Sequence, residues 1–256
     1  MPDIAFHPGV PLAPGGLASP VTGSRARGAK VGLVIPCYRV RDQIMSVLAG
    51  IGDEVDAIYV VDDRCPMRSG ELVERESADA RVRVIFHAEN AGVGGATVTG
   101  MRAAISDGAS IIAKLDGDGQ MDPRLLPLLI RPIEAGEADY AKGNRFYDLD
   151  GLAAMPRLRL FGNAALSFFA KLSTGYWQSF DPTNGYFALH EAVARRLPLH
   201  KLDRRYFFET DLLFRLNTLQ ARVVDVPMPA IYGGETSNLR VARVMLPFAL
   251  GHARNF

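Results

Sequence analysis

Short unbroken apolar runs alternate along the chain with longer stretches whose apolar residues recur at helical spacing. Val31-Gly-Leu-Val-Ile35 is the first run, and Pro36 stops it. A buried strand is therefore expected there, followed by a loop over Pro36-Cys37-Tyr38-Arg39. An amphipathic helix is expected over Arg41 to Gly50, a second strand over Val55 to Val61 with Asp62-Asp63 at its carboxyl end, a helix near Glu71 to Ser77, and a third strand over Val82 to Phe86. A glycine-rich loop from His87 to Ala96 then opens a helix reaching Ser106. The run Ser110 to Ala113 predicts a fourth strand. It leads into Lys114-Leu115-Asp116-Gly117-Asp118-Gly119-Gln120-Met121-Asp122-Pro123, where the proline opens a helix over Leu125 to Ala135. Further on come a strand over Asp139 to Lys142, near-helical spacing over Arg157 to Leu172, and a turn cluster from Asp181 to Tyr186 before the apolar Phe187-Ala188-Leu189. A helix headed by Glu209 and Asp211 follows, then a closing strand over Arg222 to Val226, stopped by Pro227.

Strands alternating with helices at this spacing predict an α/β domain with a mostly parallel, doubly wound sheet flanked by helices. Such sheets bind ligands at the carboxyl ends of their strands. The 256 residues fit one domain with a large core, over 30–237. Residues 1–29, rich in Pro, Gly and Ala without period, read as a mobile leader. Residues 238–256 combine Leu239, Val241, Val244, Met245, Phe248 and Leu250 with Arg240, Arg243 and Arg254, an amphipathic pattern suited to a membrane interface or to a C-terminal helix packed on the domain's own core, with Pro247 expected to kink it.

Composition narrows the classes further. A net charge of +1 carries no nucleic-acid footprint. The two cysteines, Cys37 and Cys65, have neither a disulfide framework nor metal-ligand spacing and read as small buried residues of a reducing compartment. No stretch has the length of a membrane span, and the N-terminus lacks a signal-peptide pattern, so a cytoplasmic catalytic part is expected, and the amphipathic segment over 238–256 would hold it at the inner face of the membrane.

The chemistry concentrates at predicted strand ends. Asp116 and Asp118, two apart on extended backbone, point the same way between small glycines. With the Gln120 amide oxygen they form a hard-oxygen set suited to Mg²⁺ or Mn²⁺, especially where phosphate oxygens complete the shell. A hydrated acidic turn would look the same in isolation. Gly92, Gly94 and Gly95 stand where a loop could cradle phosphate on backbone N–H groups or simply turn into the helix, and the spacing matches neither a Walker A loop nor the dinucleotide fingerprint. Three strand ends, at Tyr38, at Asp62 and Asp63, and at Asp116 to Gln120, put polar groups on one rim and describe a nucleotide-diphosphate pocket. For Glu209 and Asp211 the alternative is plain charge complementarity at a helix N-terminus.

Taken in order, Ile35-Pro36-x-Tyr38, Val60-Val61-Asp62-Asp63, Asn90-x-Gly92-x-Gly94, Asp116-x-Asp118-Gly119-Gln120-x-Asp122-Pro123, Gly143-x-Arg145, Asp181-Pro182-x-x-Gly185 and Phe208-Glu209 followed by Val226-Pro227 resemble the family 2 glycosyltransferases with the GT-A fold, most closely the dolichyl- or polyprenyl-phosphate mannose and glucose synthases. The resemblance implies a single GT-A (Rossmann-like) domain. It puts Pro36, Tyr38, Asp62 and Asp63 at the nucleoside, and Asp116, Asp118 and Gln120 at a divalent ion on the diphosphate. Arg145 would face phosphate charge, and Asp181 and Glu209 would border sugar and acceptor. Arg64-Cys65-Pro66 departs from the family's usual Gly-Ser, and the lone Trp177 does not form the Gln/Arg-x-x-Arg-Trp motif of processive synthases.

The implied partners are a UDP- or GDP-linked sugar, a lipid-linked acceptor and a membrane surface. The expected reaction is inverting, metal-dependent transfer to a polyprenyl phosphate, whose oxygen is already an anion. A saccharide hydroxyl as acceptor would instead require Glu209 or Asp211 to take its proton. A sugar-1-phosphate nucleotidyltransferase would need a glycine- and arginine-rich loop after the first strand, which Pro36-Cys37-Tyr38-Arg39 is not. A catalytically silent nucleotide- or membrane-binding module on the same fold is the alternative of a different class.

Overall fold

The computed structural model describes residues 29–145, 168, 170–179 and 181–228. The leader, the segment 238–256 and most of the helix expected over Arg157 to Leu172 lie outside these. The last part of that helix, 170–174, is helical.

The described strands are β1 (Val31–Cys37), β2 (Ala57–Asp62), β3 (Val82–Phe86), β4 (Ile111–Lys114), β5 (Tyr140–Asn144), β6 (Phe187–His190) and β7 (Val223–Pro227). The helices are α1 (Ile44–Ala49), α2 (Ser69–Glu76), α3 (Gly92–Ser106), α4 (Leu126–Glu134), α5 (Glu191–Arg196) and α6 (Phe208–Thr218). They build one seven-stranded sheet in the order β3-β2-β1-β4-β6-β5-β7. All neighbours pair in parallel except β6, which runs antiparallel between β4 and β5.

Both faces of the sheet are covered, which is why its central strands are apolar at consecutive positions. Val31, Leu33 and Ile35 of β1 point into one core, closed by α1, α2 and α4. Val34 points into the other, closed by α3, α5 and α6. The predicted doubly wound α/β architecture is the one observed, with three local differences. First, β1 continues through Pro36, in register with Val61. Proline is tolerated because Pro36 lies beyond Val34, the last residue paired with β4, so its missing N–H interrupts no ladder there. Second, β4 ends at Lys114, and Asp116 to Gly119 form a turn, so the two acids do not share an extended strand. Third, the short helix α5 follows β6 immediately, capped by the His190 side chain accepting from Ala192 N (3.1 Å), a start without a Ser, Thr or Asp signal.

The antiparallel β6 matters for position. Its preceding segment, Asp181 to Tyr186, must enter from the rim where β4 and β5 end. Tyr186 is then held there by its hydroxyl, which donates to the Asp122 carbonyl (3.0 Å) at the start of the α4 turn.

Candidate active site

At the ends of β1 and β2 the two adjacent aspartates are engaged by backbone. Asp62 accepts from Cys65 N and Gly70 N, both at 2.7 Å, and so ties down the loop into α2. Asp63, also buried, accepts from Ala91 N (2.7 Å) and Gly92 N (2.8 Å), and its Oδ1 lies 2.8 Å from His87 Nδ1. Asn90 donates to the Asp63 carbonyl (3.0 Å). A carboxylate therefore sits at the N-terminus of α3, where the helix dipole and unpaired N–H groups favour negative charge.

Two further donors of that helix end, Gly94 N and Gly95 N, give to the Arg204 carbonyl at 3.0 and 3.2 Å. The phosphate-cradle expectation for Gly92 and Gly94 is thus corrected: their N–H groups, and that of Gly95, are used within the chain. The glycines serve close packing instead. A Cβ at Gly92 would run into the Arg204 carbonyl oxygen, and one at Gly94 into that of Asp203. Tyr38 stands on the same rim, 42% exposed, with the Arg39 guanidinium 5.4 Å from its ring centre.

At the end of β4 lies a cluster that periodicity did not reveal. Lys114 is only 1% exposed, yet its Nζ lies 2.8 Å from Asp116 Oδ1 and 3.4 Å from Glu209 Oε1, joining the β4 rim to the first turn of α6. Burial disfavours the Lys114 charge, but the Asp116 and Glu209 carboxylates outweigh it and its pKa is raised. Glu209 is raised as well, by burial first, with Lys114 pulling the other way and Asp116 adding repulsion. Gly185 packs directly on the ammonium: a Cβ there would collide with Nζ and come 3.1 Å from Asp116 Oδ2 and 3.2 Å from Glu209 Oε1.

Asp118, partly exposed in the turn, accepts from Gln120 N (3.0 Å), and Gln120 itself is exposed. Asp116 and Glu209 are therefore brought together by Lys114, and Asp118 follows two residues on in the turn. Asp211 is not among them. It is fully buried, accepts from Asp203 N (2.9 Å) and pairs with Arg215, whose Nε donates to Oδ2 (3.2 Å) and whose Nη2 lies 3.2 Å from Oδ1. Its candidacy as a proton acceptor is corrected on that ground. It anchors the 203–205 loop over α3.

Beyond β6, Arg145 and Asp181 form a two-pronged ion pair, Nε to Oδ2 at 2.7 Å and Nη2 to Oδ1 at 2.8 Å. Asp181 is buried with φ +52°, a left-handed conformation held by this pair and by Asn184, whose amide donates at 3.2 Å. The Arg145 charge expected to face phosphate is therefore balanced by an acid of its own chain. Lys142, also buried, reaches the Asp181 carbonyl (3.0 Å) and Asp225 Oδ1 (3.1 Å). Asp225 further accepts from Ser179 (3.0 Å) and Asn144 (2.7 Å). Lys114, Phe187, Lys142 and Asp225 are mutually in register, so they form one row across four strands on one face of the sheet. Lysines inside apolar strands were the available signal for both clusters.

Among the described residues no group of three or more His, Cys, Asp or Glu side chains is placed to hold a metal ion. The donor chemistry nevertheless fits one kind of divalent site. Asp118 offers carboxylate oxygen at a partly exposed turn, and Mg²⁺ or Mn²⁺ commonly takes one or two carboxylates and completes its shell with substrate phosphate. An all-protein cage does not fit, because Asp116 is already paired with Lys114.

The family model for glycosyl transferase family 2 matches residues 33–197. A UDP-N-acetylglucosamine–dolichyl-phosphate N-acetylglucosaminyltransferase of Methanococcus voltae is 29% identical over 232 residues, covering 85% of this chain and 92% of that protein. An undecaprenyl-phosphate mannosyltransferase of Micrococcus luteus is 28% identical over 199 residues, covering 76% and 81%. Among solved structures, glucosyl-3-phosphoglycerate synthase of Mycobacterium tuberculosis with Mn²⁺, UDP-glucose and phosphoglyceric acid superposes with a TM-score of 0.65 at 19% identity, covering 88% of this chain and 80% of that one. At that identity the likeness is one of fold.

Proposed function

Because the chain belongs to glycosyl transferase family 2 and is a glycosyltransferase, we propose that it moves a sugar from a nucleoside diphosphate to a polyprenyl phosphate, with inversion at the anomeric carbon. The single observation that carries the acceptor class is the state of the two acids on α6. Glu209 is buried against Lys114 and Asp211 is buried against Arg215. Neither is presented as an open base, and a phosphate oxyanion needs none, whereas a hydroxyl acceptor does. Both relatives named above act on polyprenyl-type phosphates.

In this reading Pro36, Tyr38 and the loop held by Asp62 and Asp63 border the nucleoside, which is UDP- or GDP-linked. Asp118, with Asp116 and Gln120 beside it, holds Mg²⁺ or Mn²⁺ against the diphosphate. When bound, the ion supplies Lewis-acid neutralisation of charge on the leaving diphosphate. Lys114 adds fixed positive charge below the acids. Arg145 and Asp181 form a rigid wall on the acceptor side, and the face of the sugar opposite the diphosphate is left for in-line attack.

The test offers UDP- and GDP-linked sugars with Mn²⁺ to polyprenyl phosphate and, separately, to saccharide acceptors, and reads the product anomer by NMR. Glu209→Gln is expected to cost little turnover with polyprenyl phosphate. A loss of about 10²-fold or more, with donor affinity unchanged, would point to general-base catalysis on a hydroxyl and overturn the acceptor assignment.

Membrane association at the cytoplasmic face belongs to the same proposal. It rests on the basic amphipathic sequence over 238–256 and on the lipid-linked acceptor. No helix among the described residues is long and apolar enough to cross a membrane. Flotation with anionic liposomes that weakens in high salt is the expected outcome, and indifference to such liposomes at low salt would refute it.

A further inference from the structure

We propose that Lys114 is a positioning residue, a buried resident cation that clamps Asp116 to Glu209 and keeps the acidic rim from taking up a divalent ion until a nucleoside diphosphate brings its own oxygens. This rests on the donor reading above only for the identity of the diphosphate. The clamp itself stands on geometry.

An ammonium with 1% exposure, 2.8 Å from one carboxylate and 3.4 Å from another, has no route to a solvated alternative. Lys114 and Glu209 are 95 residues apart in the chain, so the lysine is what joins the donor-side turn after β4 to α6. Gly185 completes the seat. Any side chain there would occupy the volume of the ammonium, so the turn before β6 is shaped around it.

With Lys114 in place, Asp116 and Glu209 carry a summed formal charge of −1; without it they carry −2 around one small volume. An extra unit charge within a few ångströms of a divalent ion is worth far more than thermal energy in a partly buried site. The unsubstituted cluster is therefore a poor metal site on its own and becomes a good one when phosphate oxygens complete the shell. Lys114 would thereby make retention of a divalent ion at Asp116 depend on the oxygens of a bound diphosphate.

The experiment is Mn²⁺ titration followed by electron paramagnetic resonance, in the absence of any nucleotide, on the full chain and on Lys114→Met. The variant is expected to bind Mn²⁺ about tenfold more tightly. Lys30→Met removes the same charge at the opposite end of the strands, just before β1, where Lys30 reaches the Asp107 carbonyl, and is expected to change nothing. Gly185→Ala keeps the charge but displaces the ammonium. It is expected to gain about two- to threefold, and it carries the test if Lys114→Met does not fold by circular dichroism. Wild-type affinity in a folded Lys114→Met, or in a folded Gly185→Ala where the lysine variant does not fold, overturns the proposal, as does an equal gain in Lys30→Met. Mn²⁺ uptake by the wild type with UDP or GDP tests the donor reading separately, since the nucleotide-free comparison stands whatever its result.

Discussion

Lys114 and Lys142 occupy equivalent places on either side of Phe187 in one row of the sheet, both are buried, and they are shifted in opposite directions. Burial disfavours the charged form of each. At Lys114 two carboxylates overcome it. At Lys142 desolvation prevails over Asp225 and Asp181, and Arg145 adds a repulsion. The surroundings differ as well. The acids of the Lys114 region open toward the rim, with the Asp116 side chain 29% exposed, whereas the Asp225 side chain is 7% exposed and held by Ser179 and Asn144. The same residue type in the same strand row therefore makes an electrostatic device at one place and a structural anchor between β5 and β7 at the other. Number of partners and access to water decide which.

The largest expected consequence is in stability. Lys142→Met leaves the Asp225 carboxylate buried without its cation and is expected to cost about 3–5 kcal/mol in urea unfolding. Lys114→Met is expected to cost roughly half as much, because Asp116 can turn to water and the hydrogen bonds of the rim are few. Equal losses would erase the distinction drawn between the two regions. Replacing Lys142 and Asp225 together by Met and Leu should recover most of the loss, since the cost of the single variant lies in the stranded charge. A double variant as unstable as the sum of its parts would show that packing, not charge, holds β7.

A smaller effect lies in pH. Because the folded pKa of Lys142 is below the ordinary value of 10.5, the native chain sheds that proton before the unfolded chain does. The unfolded state then binds more protons across the interval from the folded value up to 10.5, so stability rises with pH over it. The difference in unfolding free energy between wild type and Lys142→Met should therefore widen as pH climbs toward 10.5 and level off above it. Lys114→Met, whose lysine is shifted upward, should show no such widening. A difference that stays flat for Lys142→Met would mean that Asp225 compensates its burial in full.

What the residue pattern alone determined is substantial, and local. Consecutive apolar residues specify β1, β2 and β4 because strands buried on both faces need no alternation. Pro123 starts the turn into α4, with Asp122 capping it by accepting from Arg124 N (3.0 Å), and the ordered motifs identify the family. The acids at the ends of β2 and β4 were legible for the same reason, since a polar residue closing an apolar run must sit at a strand end.

Tertiary structure decided the rest. That β6 runs antiparallel between β4 and β5 depends on which edge accepts it, and the composition of Phe187 to His190 does not encode that direction. Whether an aspartate holds a ligand or its own chain also depends on distant partners. Asp63 is taken up by α3, Asp181 by Arg145 and Asp211 by Asp203, while Asp116 meets Glu209 only through a lysine buried between them. Periodicity reports how much water a residue meets. The energy of a buried charge depends on which other charge the fold places beside it, and that is set by contacts between residues far apart in the chain.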